Sequence, residues 1–231
     1  MSNKENNTKE QFKQVLISTA RVISDDYKID IKKIDKDDNL KKNFFDIANL
    51  SNKNDYIRLR AETDSIALSK KFSNKQVFDK NLPKNPSCKS LYEMAEKIRY
   101  EVLGGKMLRG IEKNLKENYN QKLDTIRKEN LKNKEDVPIK DAFELYMLKK
   151  FFNLKLNPIS SKMLSFWEKD FDSSIDKHLN FLNENLENQN NYNLKFSEIF
   201  QDMDVFNSNN EEINEDKDKN DMEQENKSEN N

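Results

Sequence analysis

Among 231 residues there are only three glycines, and all of them fall in one stretch, EKIRYEVLGGKMLRG, at Gly104, Gly105 and Gly110. Clustered glycines can let backbone N–H groups wrap a phosphate, or let two elements approach with no Cβ between them. The phosphate reading fails on residue type. Gly105 and Gly110 have the spacing of a G-x-x-x-x-G-K-[ST] loop, but Ile111 and Glu112 stand where lysine and a hydroxyl are required. A carboxylate there would repel phosphate. A dinucleotide fingerprint needs a strand ahead of the glycines, whereas Leu91, Ala95, Ile98 and Val102 recur at helical spacing. The glycines therefore read as a packing or bending device. Glycine inside a helix costs about 1 kcal/mol relative to alanine, so a close contact or a bend must offset it. Gly104 and Gly110 are six residues apart and do not share an ideal helix face, which favours a bend or short break at Gly104–Gly105.

Around the glycines lie charges that could act together. Arg60 and Asp64 are four apart, Glu96 and Arg99 three apart, and Glu101 lies on a different face of its helix. Two readings stand. Spacing alone favours ordinary solvated helix charges. The other reading joins them across two helices as a polar network or a partner-contact site. No reacting constellation assembles from the remaining residues. His178 is the only histidine and sits at the rim of an apolar stripe, with no second ligand beside it. Cys88, the only cysteine, can form neither an internal disulfide nor a cysteine-based metal site. The run FDSS at 171–174 superficially matches a D-x-S-x-S metal loop, but Asp176 replaces the last serine and the segment has a helical pattern. These residues describe a noncatalytic helical protein that works by binding.

The elements that would carry those residues are mostly α-helical. Thr8 and Gln11 can form a capping box ahead of Phe12, Val15, Leu16, Val22 and Ile23. Tyr27, Ile29 and Ile31 alternate with polar residues, and a second strand signal lies at 44–50, which leaves room for a β-hairpin or small sheet near the N-terminus. One helix is expected from Asp55 to about Phe78, and another from a Ser90–Glu93 capping box. Pro138 suits the first turn of a further helix. Asn157 and Pro158 open a long one, whose stripe is Leu164, Trp167, Phe171, Ile175, Leu179, Leu182 and Leu186. Phe196, Ile199, Phe200 and Met203 mark a last short helix.

Charged residues are 36% of the chain and the hydrophobic set 34%. Much of the polarity is concentrated in residues 207–231, where nine acids face three lysines and only Ile213 and Met222 are apolar. Such a composition cannot offset chain entropy, so 207–231 reads as a disordered acidic tail, and 1–7 likewise. This leaves one helical domain over 8–206. With the tail at −6 and the chain at −1, the body carries +5. Its lysines are scattered among acids with no single-signed stripe, which argues against nucleic acid. No segment reaches membrane-span length and no apolar signal core opens the chain, so a cytoplasmic protein is expected.

Two spaced patterns resemble the N-terminal region of the CobT family, a subunit of the aerobic, ATP-dependent cobaltochelatase. The first is Asp55, Arg60, Ala61, Asp64, Ala67 and Leu68, with alanine in place of the family's glycine. The second is Glu96, Arg99, Glu101, Leu103, Gly104, Gly110, Asn114 and Leu115. Weaker similarity extends over roughly Phe12 to Phe206, through VPIKDAF at 137–143, Trp167 and FQDMD at 200–204. The family continues past an acidic linker into a von Willebrand A domain with a metal-dependent adhesion motif. The present 231 residues are expected to stop within that linker, as a fragment, a split gene or a truncated form.

The resemblance implies a three-part machine. A CobS-like AAA+ ATPase hydrolyses ATP, and a CobN-like large subunit binds the corrin and inserts cobalt into hydrogenobyrinic acid a,c-diamide. The CobT-like chain couples the two as a companion ring, itself a candidate homo-oligomer. ATP, Mg and cobalt would then be handled by partner subunits, with no cofactor held by this chain. The structural or partner-contact residues implied are Arg60, Asp64, Glu96, Arg99, Glu101, Gly104, Gly110 and Asn114. A helical adaptor for an AAA+ ATPase in another pathway is the alternative.

Overall fold

A computed structural model describes residues 2–28, 50, 52–126 and 131–203. The elements in chain order are α1 (Ser2–Ser24), α2 (Lys53–Phe72), α3 (Lys75–Lys80), α4 (Pro86–Met107), α5 (Arg109–Thr125), α6 (Ile139–Phe151), α7 (Pro158–Ser165), α8 (Glu168–Ile175), α9 (Leu179–Glu184) and α10 (Gln189–Asp202). Short 3₁₀ turns occupy Lys134–Asp136 and Asp176–His178. The mostly α reading holds, with no strand among the described residues. Most of the proposed strand positions, and all of the acidic tail from 207, fall outside those residues.

Helix α4 is the centre. Leu91, Ala95 and Ile98 are fully buried along it, and α2, α5, α6 and α10 all pack against it. Aromatic rings fill the space between α6, α8 and α10. Phe143 meets Phe171, Phe196 and Phe200 edge-on, with centroids 5.5–6.3 Å apart. Such geometry adds to the area these rings bury. A smaller cluster of Leu16, Leu50 and Leu59, with Phe12 against Tyr56, fixes α1 on α2.

Several element boundaries differ from the sequence reading, each for a local reason. Helix α1 begins at Ser2, so residues 2–7 are helical and Thr8 lies inside the helix. Helix α4 begins at Pro86, which needs no N–H partner there, and Ser90 is interior. The expected helix from Asp55 to Phe78 is two helices. Ser73 is extended, and the Asn74 side chain accepts from the Gln76 and Val77 amides to start α3. The expected long helix from Pro158 is divided into α7, α8, a 3₁₀ turn and α9. Its joints at Phe166, Trp167, Asp176 and His178 keep right-handed dihedrals, so the apolar stripe continues across them. Leu164, Phe171, Ile175, Leu182 and Leu186 are all buried as that stripe predicts.

Gly104 and Gly105 are interior to α4, and the expected bend there is absent. The turn comes at Leu108, an extended residue that caps α5. Close approach explains Gly104 instead. A Cβ on it would lie 2.4 Å from both Leu68 methyls.

Candidate functional site

The break after α2 creates the first part of the site. It frees the Phe72 carbonyl, which Arg99 reaches from α4. Arg99 is 1% exposed and Glu96, one turn earlier, is 3% exposed. The guanidinium donates Nε–H to Glu96 Oε2 at 2.8 Å and Nη2–H to Glu96 Oε1 at 2.9 Å. Nη1 donates to the Leu186 carbonyl at 2.7 Å, in the loop between α9 and α10. Glu96 Oε1 also accepts from Ser73 Oγ at 2.5 Å and from Gln189 Nε2 at 3.0 Å. Gln189 closes the ring by accepting the Asn74 amide at 2.7 Å. One buried pair therefore ties α4 to the α2–α3 joint and to the start of α10. The planar fork of arginine is what makes so many fixed contacts reachable from one side chain.

One and a half turns on, the buried Glu101 forms a second hub. It accepts from Ser65 Oγ on α2 and from Tyr119 Oη on α5, each at 2.5 Å. Burial and the neighbouring Glu101 hold the Tyr119 hydroxyl well above its ordinary range, so it serves as a donor. Lys97 lies 3.9 Å from the same carboxylate and 5.4 Å from the Tyr119 ring centroid. A third link joins α2 to α5, where Asn114 Nδ2 donates to buried Asp64 Oδ2 at 2.7 Å.

The sequence candidates divide accordingly. Glu96, Arg99, Glu101, Asp64 and Asn114 are brought together between helices, and the solvated-charge reading is corrected for the four charged ones because all four are buried. Gly104 joins them as the contact point of α4 with Leu68 on α2. Arg60 is exposed and adds only its charge to the surroundings of Asp64. Gly110 is exposed at the start of α5, and a Cβ on it would meet nothing within 4 Å. Sequence reasoning missed Ser65, Ser73, Tyr119 and Gln189. Asn74 carried the one usable signal, as a strong N-cap residue that marks the break.

Chemically these groups hold helices. Glu96 and Glu101 each accept from several donors of the same chain, and Asp64 accepts from Asn114. Among the described residues no group of three or more His, Cys, Asp or Glu side chains could hold a metal ion. His178 stays at the rim of its stripe, its pKa lowered by burial and by Lys195 and Lys177. No described helix is long and apolar enough to cross a membrane.

Asp64 offers a test of the third link. Burial raises its pKa, opposed by the Asn114 hydrogen bond and the Arg60 charge. A carboxyl with a folded pKa above its unfolded value of about 3.9 favours the fold below that value. The contribution is lost as pH rises through the folded pKa. Asp64→Asn keeps an oxygen for Asn114 and removes the buried charge. Its melting temperature should equal or exceed wild type at pH 7, with the gap closing toward pH 3. A variant less stable at pH 7 than at pH 3, relative to wild type, would contradict this account.

No curated protein and no solved structure gives a significant match to the chain. The family model described as cobalamin biosynthesis protein CobT matches residues 6–231, which takes in most of α1, both spaced motifs and the acidic segment. A match of that extent, carried through the hubs built on Glu96, Arg99, Glu101 and Asp64, places the chain in the CobT family.

Proposed function

We propose that this chain is a noncatalytic subunit of an ATP-dependent cobaltochelatase, coupling a CobS-like AAA+ ATPase to cobalt insertion by a CobN-like subunit. The observation that supports this reading is the inward orientation of the family motif. Glu96, Arg99, Glu101 and Asp64 are buried and hydrogen-bonded within the chain. They build a body of fixed shape, and a body that transmits a partner's motion must have helices that do not slide. ATP with Mg, and the cobalt that is the substrate, belong in this reading to the partner chains.

The test is assembly. The purified chain should co-elute with a CobS-like ATPase at micromolar concentration, and cobalt insertion by the CobN-like subunit should require all three. Absence of any complex at that concentration would overturn the assignment. Assembly with an AAA+ protein but no dependence of cobalt insertion on this chain would move it to the adaptor reading.

A further inference from the structure

The turn between α4 and α5 is unusual in what it leaves uncovered. Residues 106–110 are all exposed. Met107 and Leu108 are 38% and 49% exposed and adjacent. The stretch 106–116 carries Lys106, Arg109, Lys113 and Lys116 against one acid, Glu112, a net charge of +3, with Glu117 and Asp124 further along α5. Glu112 is already paired with Lys116 at 2.6 Å, whereas Lys106, Arg109 and Lys113 have no ion-pair partner among the described residues. A shallow groove of about 590 Å³ leads from this corner between α5 and the start of α2, past Lys53 and Ile57. The corner thus presents an apolar pair within a fork of unpaired cations.

We propose that the acidic segment of the same chain docks on this corner in cis, with Met222 against Met107 and Leu108. Charge complementarity and reach both select that segment. Residues 218–225, DKNDMEQE, place four acids and one lysine around Met222. The start of the connection is fixed. Helix α10 runs antiparallel to α4, with Tyr192 Oη on the Ala95 carbonyl and Cys88 Sγ on the Phe200 carbonyl. Its end therefore lies beside Cys88 in the first turn of α4, and Leu108 is twenty residues beyond Cys88, about 30 Å at 1.5 Å per residue. Ile213 is ten residues beyond Met203, and a fully extended chain of that length spans about 33–36 Å. It would reach the corner only under full extension. Met222 is nineteen residues beyond Met203, with a span of up to about 63–68 Å, so it reaches with slack. A tether of this length supplies an effective concentration on the order of millimolar, enough for a few ion pairs and one apolar contact.

The experiment uses the full chain with a nitroxide at Met222→Cys. Cys88 is fully buried and burial raises its thiol pKa to about 11, so the label attaches at the new position. Amide signals of residues 106–113 should lose about half their intensity or more at about 0.01 M salt, and recover at about 1 M, where the screening length falls to about 3 Å. The exposed triple change Lys106→Glu, Arg109→Glu, Lys113→Glu should abolish the effect. Broadening that is absent, insensitive to salt or centred elsewhere overturns the proposal. So does broadening seen only between a labelled chain and a separate isotope-labelled chain, which would assign the corner to a second copy.

Discussion

Arg99→Ala should cost about 3–5 kcal/mol, the range for removing one partner of a buried ion pair. The loss has more than one source. Glu96 would remain 3% exposed with its cation gone. The Phe72 and Leu186 carbonyls would lose their donors together. Unsatisfied buried acceptors cost about 1–3 kcal/mol each, although neighbouring losses do not simply add. For a domain of 150–250 residues each kcal/mol moves the melting temperature by about 2–4 °C, so a fall on the order of 10 °C is expected. Arg99→Lys should be intermediate, since an ammonium keeps the charge and cannot bridge Glu96, Phe72 and Leu186 at once. Urea unfolding measures both. A loss below about 1 kcal/mol for Arg99→Ala would show that this hub does not hold α2, α4 and α10 together.

That hub also shows where sequence stops being informative. Leu91, Ala95, Ile98 and Val102 declare the buried face of α4 through their spacing alone. The stripe from Leu164 to Leu186 is legible for the same reason, and because its joints keep right-handed dihedrals the breaks within it are invisible to periodicity. Burial of Glu96 and Arg99 could not be read that way. Three residues apart on a helix is also the spacing of an exposed pair. What buries them is the carbonyl freed by a break at Ser73, a loop at Leu186 and a glutamine at 189, contacts 23 to 93 residues distant from them in the chain. Family resemblance pointed to these residues, but it did not distinguish a motif that faces a partner from one that faces inward.

The glycines make the sharpest case, because one motif gives three different expectations. Alanine is the better helix residue by about 1 kcal/mol, so packing alone decides whether each substitution helps. At Gly104 the new Cβ would lie 2.4 Å from both Leu68 methyls and 2.9 Å from its Cγ. Leu68 is fully buried, so its methyls cannot swing into solvent. Overpacking of this kind costs about 1–3 kcal/mol and should exceed the propensity gain, leaving Gly104→Ala less stable by about 1–2 kcal/mol. At Gly105 the nearest atom is the Glu112 Cβ at 3.3 Å, a contact that a small shift of α5 relieves, and the change should be near neutral. At Gly110 nothing lies within 4 Å, so alanine there should stabilise by a few tenths to about 1 kcal/mol. Denaturant midpoints should therefore rank Gly110→Ala above Gly105→Ala above Gly104→Ala. Pairing Gly104→Ala with Leu68→Ala separates contact from propensity. The double variant should be less damaged than the sum of its singles by about 1 kcal/mol or more, since the added methyl enters the space that leucine vacates. A Gly104→Ala protein more stable than wild type would mean that α2 and α4 lie further apart than the Leu68 contact requires.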